Sequence, residues 1–270
     1  MSYFIIGLLI GIITLIPGIS GGTILLIFNM YDDVTYKINN IYKNKILNYK
    51  YLKDIIILVI GLILGILLFS KIIEYLFLKV PSETIIFFLG IIIFSVPKIK
   101  GNNYKFNLSY ILLGVLIILL LNLFNFNNDV VITEFPKITP MFLLYFCLMG
   151  SIDGIATIIP GVSGSLIMMI LGPYFLLKSY LANFSFSFAI PLFIYYLGDL
   201  IGILLGSKIY QYLIKRNEVK ITNLIIGLVL MSSIILIPSD LIFDFKNILK
   251  YLILIISSYI ITTFITNKKY

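Results

Sequence analysis

Two stretches of this chain, 55–78 and 192–214, stay apolar for longer than the ~20 residues that take a helix across a bilayer. In hydrocarbon every backbone N–H and C=O needs a partner inside the protein, so such runs have to be helical. The strict alternation of a barrel strand is absent from both. Composition argues the same way. Of 270 residues, 60% are hydrophobic and 12% charged, against roughly 25% charged in an ordinary globular domain. Buried helices of a soluble protein would need polar faces to cover them, and this chain has too few. The sequence predicts an all-α polytopic membrane protein.

Residues 1–15 have neither the basic start nor the small-residue cleavage site of a secretory signal, which predicts that the first segment is retained. The net charge of +8 does not point to nucleic acid, because the basic residues sit between apolar segments, where they report topology. Histidine is absent, arginine occurs once (Arg216) and cysteine once (Cys147). That leaves the chain short of catalytic and metal-binding groups, and it implies no metal and no cofactor. Self-association is left open.

The chain is written twice. Gly11, Thr14, Pro17, Gly18, Ser20 and Gly21 recur as Gly154, Thr157, Pro160, Gly161, Ser163 and Gly164, at a constant offset of 143 that extends to Tyr31 and Tyr174. A second block, Gly61, Gly65, Ser70, Lys71 and Tyr75, recurs at offset 137 as Gly198, Gly202, Ser207, Lys208 and Tyr212. Each half reads as a broken apolar hairpin followed by three helices. The first repeat is 1–128, with hairpin 3–31 and helices near 54–78, 83–97 and 108–124. The second is 138–270, with hairpin 141–177 and helices near 189–214, 221–237 and 248–266. Together they form one membrane domain.

If each hairpin is re-entrant, each half crosses three times and the repeats are inverted. Loops 32–53, 98–106 and 215–220 and the C-terminus then share one face and carry thirteen Lys and Arg, against five on the other. If the broken segments cross fully, the ratio falls to eleven against seven. Positive charge gathers on the cytoplasmic side, which favours the inverted arrangement with loop 32–53 and the C-terminus cytoplasmic.

Proline stops the first arm of each hairpin and glycine allows the reversal. The second arm then starts with free N–H groups and the positive end of a helix dipole, which suits an anion such as phosphate. The expected substrate-binding residues are Pro17, Gly18, Ser20, Gly21, Gly22 and Thr23, with Pro160, Gly161, Ser163, Gly164 and Ser165. Lys71 and Lys208 are candidates for charge pairing, or else snorkel to the interface. Asp199 and Asp153 are candidates for proton coupling, since an intramembrane carboxylate is costly without a role. The spaced glycines 61/65, 198/202 and 202/206 read as close helix contacts.

The motif Pro17-Gly-Ile-Ser-Gly-Gly-Thr23 with Tyr31-Asp32, paired with Pro160-Gly-Val-Ser-Gly-Ser165 and Gly172-Pro-Tyr174, resembles the bacterial polyprenyl-phosphate transporter family over nearly the whole chain. The resemblance implies a multi-pass protein of the bacterial cytoplasmic membrane. It also implies that undecaprenyl phosphate is the partner, returned across the bilayer to recycle the lipid carrier for cell-wall precursors. Members often carry an acidic residue where this chain has Thr14, and glycine where it has Asn29. Undecaprenyl-diphosphate phosphatases have a similar Pro-Gly-x-Ser-Arg-Ser motif, but Gly164 holds the arginine place here and the hairpins contain no glutamate. A small-anion or ion carrier is the third reading.

Overall fold

The structure is a computed structural model that describes residues 2–14, 20–43, 46–99, 104–123, 135–182, 185–237, 241 and 244–267. Pro17 and Gly18 lie outside the described residues. The first half begins with α1 (Tyr3–Thr14) and α2 (Gly21–Ile27), the arms of the first broken segment. It continues through α3 (Tyr31–Asn40) and a two-stranded antiparallel ribbon, β1 (Tyr42–Lys43) and β2 (Ile46–Leu47). Then come α4 (Tyr49–Lys79), α5 (Pro81–Ser95), a 3-10 turn (Val96–Ile99) and α6 (Leu108–Leu123). The second half comprises α7 (Pro140–Ile158), α8 (Gly164–Leu171), α9 (Pro173–Ala182), α10 (Phe186–Arg216), α11 (Glu218–Ile235) and α12 (Phe245–Asn267).

Local chemistry sets several boundaries. The side chains of Ser20, Asn48, Thr139 and Asn217 each accept a backbone N–H in the first turn of α2, α4, α7 and α11. Pro81 and Pro140 occupy the first turn, where a missing N–H costs nothing. The second arm of each hairpin is shorter than expected, because α2 and α8 stop before a new helix begins. The breaks fall at positive φ, Asn29 (+53°) and Gly172 (+96°), which are 143 residues apart. Asparagine tolerates the left-handed region better than other side chains except glycine, so it can stand in the glycine place.

Among the described residues the regular structure is helical apart from the ribbon. Among the described residues α4, α7, α10 and α11 are long and apolar enough to cross a membrane. Their outward faces are apolar: Ile56, Ile60, Ile63 and Leu67 on α4 and Phe193, Leu200 and Leu204 on α10 are exposed. Such a surface belongs in lipid.

Glycines set the tightest helix contacts. On α1 and α4, a Cβ at Gly7 or Gly11 would strike the carbonyl of Leu58 or Leu62, and one at Gly61 or Gly65 that of Phe4 or Leu8. On α7 and α10, Gly150 and Gly154 meet the carbonyls of Tyr195 and Asp199, while Gly198 and Gly202 meet those of Cys147 and Ser151. Every member of the second set is a member of the first moved by 143 or 137 residues. The remaining helices cross over: α6 packs on α11 and α12 on α5. Gly114 and Gly227 serve the first pair, and Gly90 faces Ser258 in the second.

Candidate functional site

Each broken segment folds back along its own first arm. Gly21 lies beside Ile10 and Thr14, and Gly164 beside Asp153 and Thr157. The helix that follows returns to the end where the segment began. Tyr3 donates to Asp33 on α3, and Phe146 packs at a tilt beside Tyr180 on α9, with ring centroids 5.8 Å apart. These two ends are equivalent in sequence and opposite in chemistry. Lys37, the counterpart of Tyr180, bonds Asp54 at 2.8 Å and pairs with Asp33 and the Tyr3 hydroxyl. Partial burial pulls its pKa down, but hydrogen bonds to Asp54, Tyr3 and Asp33 outweigh that, leaving it above the ordinary lysine value and charged. The second half fills the same place with Phe142, Phe146, Tyr180 and Phe188.

The tips of the two segments meet. The Thr23 hydroxyl accepts the N–H of Gly161 at 3.0 Å, and the Ser20 hydroxyl reaches the Ile159 carbonyl at 3.5 Å. Tyr31, 1% exposed, donates to the Ile158 carbonyl at 2.6 Å. Gly22 permits this approach, since a Cβ there would lie 2.6 Å from the Ile158 oxygen. Gly161 has φ +81° and would drive a Cβ into the backbone of α11 at Val229, 2.6 Å away.

The predicted residues therefore divide. Ser20, Gly21, Gly22 and Thr23 are buried, with both hydroxyls turned to the opposite tip or to each other. Ser163 and Ser165 are half-exposed and share a hydrogen bond of 2.8 Å. Pro160, Gly161 and Gly164 are buried at the second tip. Lys71 and Lys208 are exposed on α4 and α10 and bond to no partner among the described residues. Asp153 is held by the Tyr195 hydroxyl at 2.7 Å, and its other oxygen lies where a Cβ on Gly164 would go. Asp199 lies on α10 at the α7–α10 crossing, its backbone carbonyl against Gly154, the residue next to Asp153. The first half carries Ile10 and Leu62 at these places, so the acidic pair belongs to the second half alone. A surface cavity of about 390 Å³ between α3 and the start of α4, walled by Tyr36, Asn40 and Tyr49, contains none of these residues.

The sequence of residues 10–249 matches the family described as undecaprenyl phosphate translocase-like. The chain belongs to this family. A relative within reach is the polyprenyl-phosphate transporter of Staphylococcus aureus, 27% identical over 259 residues that cover 92% of this chain and 90% of that protein. The polyprenyl-phosphate transporter of Vibrio cholerae is 25% identical over 244 residues, covering 85% of this chain and 75% of that one. No solved structure matches the chain. For this translocase-like member the sequence singled out both tips and both carboxylates. It marked Tyr31 through the repeat and the motif without giving it a role, and it missed Tyr195; the two hold a tip carbonyl and Asp153.

Proposed function

We propose that this chain carries undecaprenyl phosphate across the bacterial cytoplasmic membrane, with the head group passing the place where the two hairpin tips meet. The observation that carries the reading is the contact of Thr23 and Ser20 with Gly161 and Ile159, inside a domain whose outer surface is apolar. A lipid phosphate needs a polar passage for its head and an apolar flank for its tail, since a bare charge in hydrocarbon costs many kcal/mol. The first tip braces the second. Gly164, Ser163 and Ser165 at the start of α8 then offer N–H and hydroxyl donors to the phosphate. Asp153 already sits beside Gly164. Two anions repel there, so Asp153, already held by Tyr195, takes up a proton as the phosphate arrives.

In this reading the repeats, 1–128 and 138–270, are inverted. The return of each hairpin to its starting end, three further helices per half, and the thirteen-to-five lysine and arginine count support it. Loop 32–53 and the C-terminus then face the cytoplasm. In a Cys147→Ser background, a thiol reagent added from outside should modify Ile138→Cys and spare Tyr42→Cys; the reverse pattern would sink the inverted topology.

The direct test uses vesicles holding only this protein. Labelled undecaprenyl phosphate should change leaflets faster than in empty vesicles, and undecaprenol should not respond to the protein. Equal rates with and without protein would remove the reading. Release of inorganic phosphate from undecaprenyl diphosphate would favour a phosphatase, and flux of free phosphate a small-anion carrier.

A further inference from the structure

Equivalent parts of the two halves do not make equivalent contacts, and the difference falls on α3 and α9. Helix α3 packs on α10 of the other half. The Tyr210 hydroxyl donates to Asp32 at 3.0 Å, and the Ser207 hydroxyl donates to the Asn39 side-chain oxygen at 2.7 Å. The rings of Tyr31 and Tyr210 meet edge to face at 4.4 Å. Ser207 is fully buried. The same repeat offsets place Phe175 for Asp32, residue 182 (alanine) for Asn39, and Ile73 for Tyr210. None of these can make either hydrogen bond. Ser207 and its counterpart Ser70 both turn back to a carbonyl of their own helix, Leu204 and Leu67, and Ser207 alone of the two also reaches across to α3 among the described residues. Among the described residues α9 makes no comparable contact with α4 and packs into the aromatic cluster of its own half.

We infer that the α3–α10 contact is a gate, a polar latch that closes the head-group path on the side of loop 32–53, with no matching α9–α4 latch among the described residues. The inference rests on the transport reading above and adds the element that controls access to its site. Tyr31 ties the latch to the site: its ring meets that of Tyr210 and its hydroxyl holds the Ile158 carbonyl at the second tip. Opening α3 away from α10 therefore has to disturb that tip, which links release of the head group to movement of the gate. Among the described residues the opposite side has Phe175 and Ile73 where the latch has Asp32 and Tyr210, and apolar packing between such residues is less directional than hydrogen bonding. The unequal pair biases the resting protein toward access from the side away from loop 32–53. With loop 32–53 in the cytoplasm, that is the outer leaflet, so the latch makes the protein wait for cargo outside.

Two experiments in the Cys147→Ser background test this. Asn39→Cys with Ser207→Cys, joined by a short bis-thiosulfonate, should lose undecaprenyl-phosphate translocation in vesicles and regain it on reduction. Each single cysteine treated alike should keep its rate. Unchanged translocation by the joined protein would overturn the gate. The second experiment needs no transport. Tyr210→Phe keeps the ring and removes the donor to Asp32, so Asn39→Cys should react severalfold faster with an impermeant maleimide presented from the loop 32–53 side. An unchanged rate would overturn the latch. If the unjoined background protein moves no lipid phosphate, the transport reading falls, and the maleimide rates alone decide the latch.

Discussion

Thr23 shows how one hydroxyl can serve an element far away in sequence. The residue is 2% exposed, and its hydroxyl accepts the Gly161 N–H, which sits in a buried turn with no helical carbonyl to take it. Thr23→Val keeps the shape and leaves that N–H unpaired, a cost of about 1–3 kcal/mol. Unfolding in mixed micelles should show a loss of that size, and Ser20→Ala should lose about 1 kcal/mol, chiefly as the N-cap of α2, since its contact to Ile159 is long. Asp153 works on the opposite principle, as a group whose charge matters more than its packing. Asp153→Asn keeps the hydrogen bond from Tyr195 but removes the ionisable oxygen beside Gly164. If that carboxylate competes with phosphate, the variant should bind lipid phosphate with little dependence on pH, whereas the native protein binds more weakly as pH rises. Equal pH profiles would leave Asp153 a packing role.

At the scale of elements, glycine marks contact faces that hydrophobicity cannot. Helices apolar on every side carry no stripe to say which face meets a neighbour. That is why glycines 61/65 and 198/202 were legible as contacts in the sequence, while the partners of α5 and α6 were not. The glycines also differ among themselves along α10. A Cβ at Gly202 would strike the Ser151 carbonyl, whereas one at Gly206 would approach Ile155 only to 3.2 Å. Gly202→Ala forces two backbones apart and should cost about 1–3 kcal/mol, the usual penalty of overpacking. Gly206→Ala should cost under about 1 kcal/mol, since a few tenths of an ångström of adjustment suffices. Denaturant titration of the two purified variants compares them directly, and equal losses would mean the α7–α10 crossing can relax. Helix α3 was hidden for a different reason. Tyr31-Asp-Asp-Val-Thr-Tyr-Lys-Ile-Asn-Asn40 is too polar to stand out beside membrane helices, and it reads as loop until the Tyr3, Asp54 and Tyr210 partners are in place.

For the molecule as a whole, the duplication was plain in the sequence but the way the halves join was not. Two similar repeats suggest two bodies that could rock against one another, as broken-helix transporters often do. The structure pairs α6 of the first half with α11 of the second, and α12 of the second with α5 of the first. At the former contact Asn223, fully buried on α11, accepts from the Tyr104 hydroxyl and the Asn107 N–H and donates to the Lys105 carbonyl. The first half's chain is thus pinned to a second-half helix immediately before α6 begins. Motion of one complete half against the other would break both contacts. Movement confined to α1–α4 and α7–α10 around the four interlocked helices would break neither. It follows that neither half can bury its own α5 and α6, or α11 and α12, without the other. Splitting the chain between residues 134 and 135 tests this. Each part made alone should aggregate or be degraded, because Gly90, Gly114 and Asn223 lose the neighbours they are shaped for. Made together, the parts should co-purify and recover translocation. A first half that purifies alone as a monodisperse helical protein would show that the repeats are separable bodies, and would return the rocking of whole halves to favour.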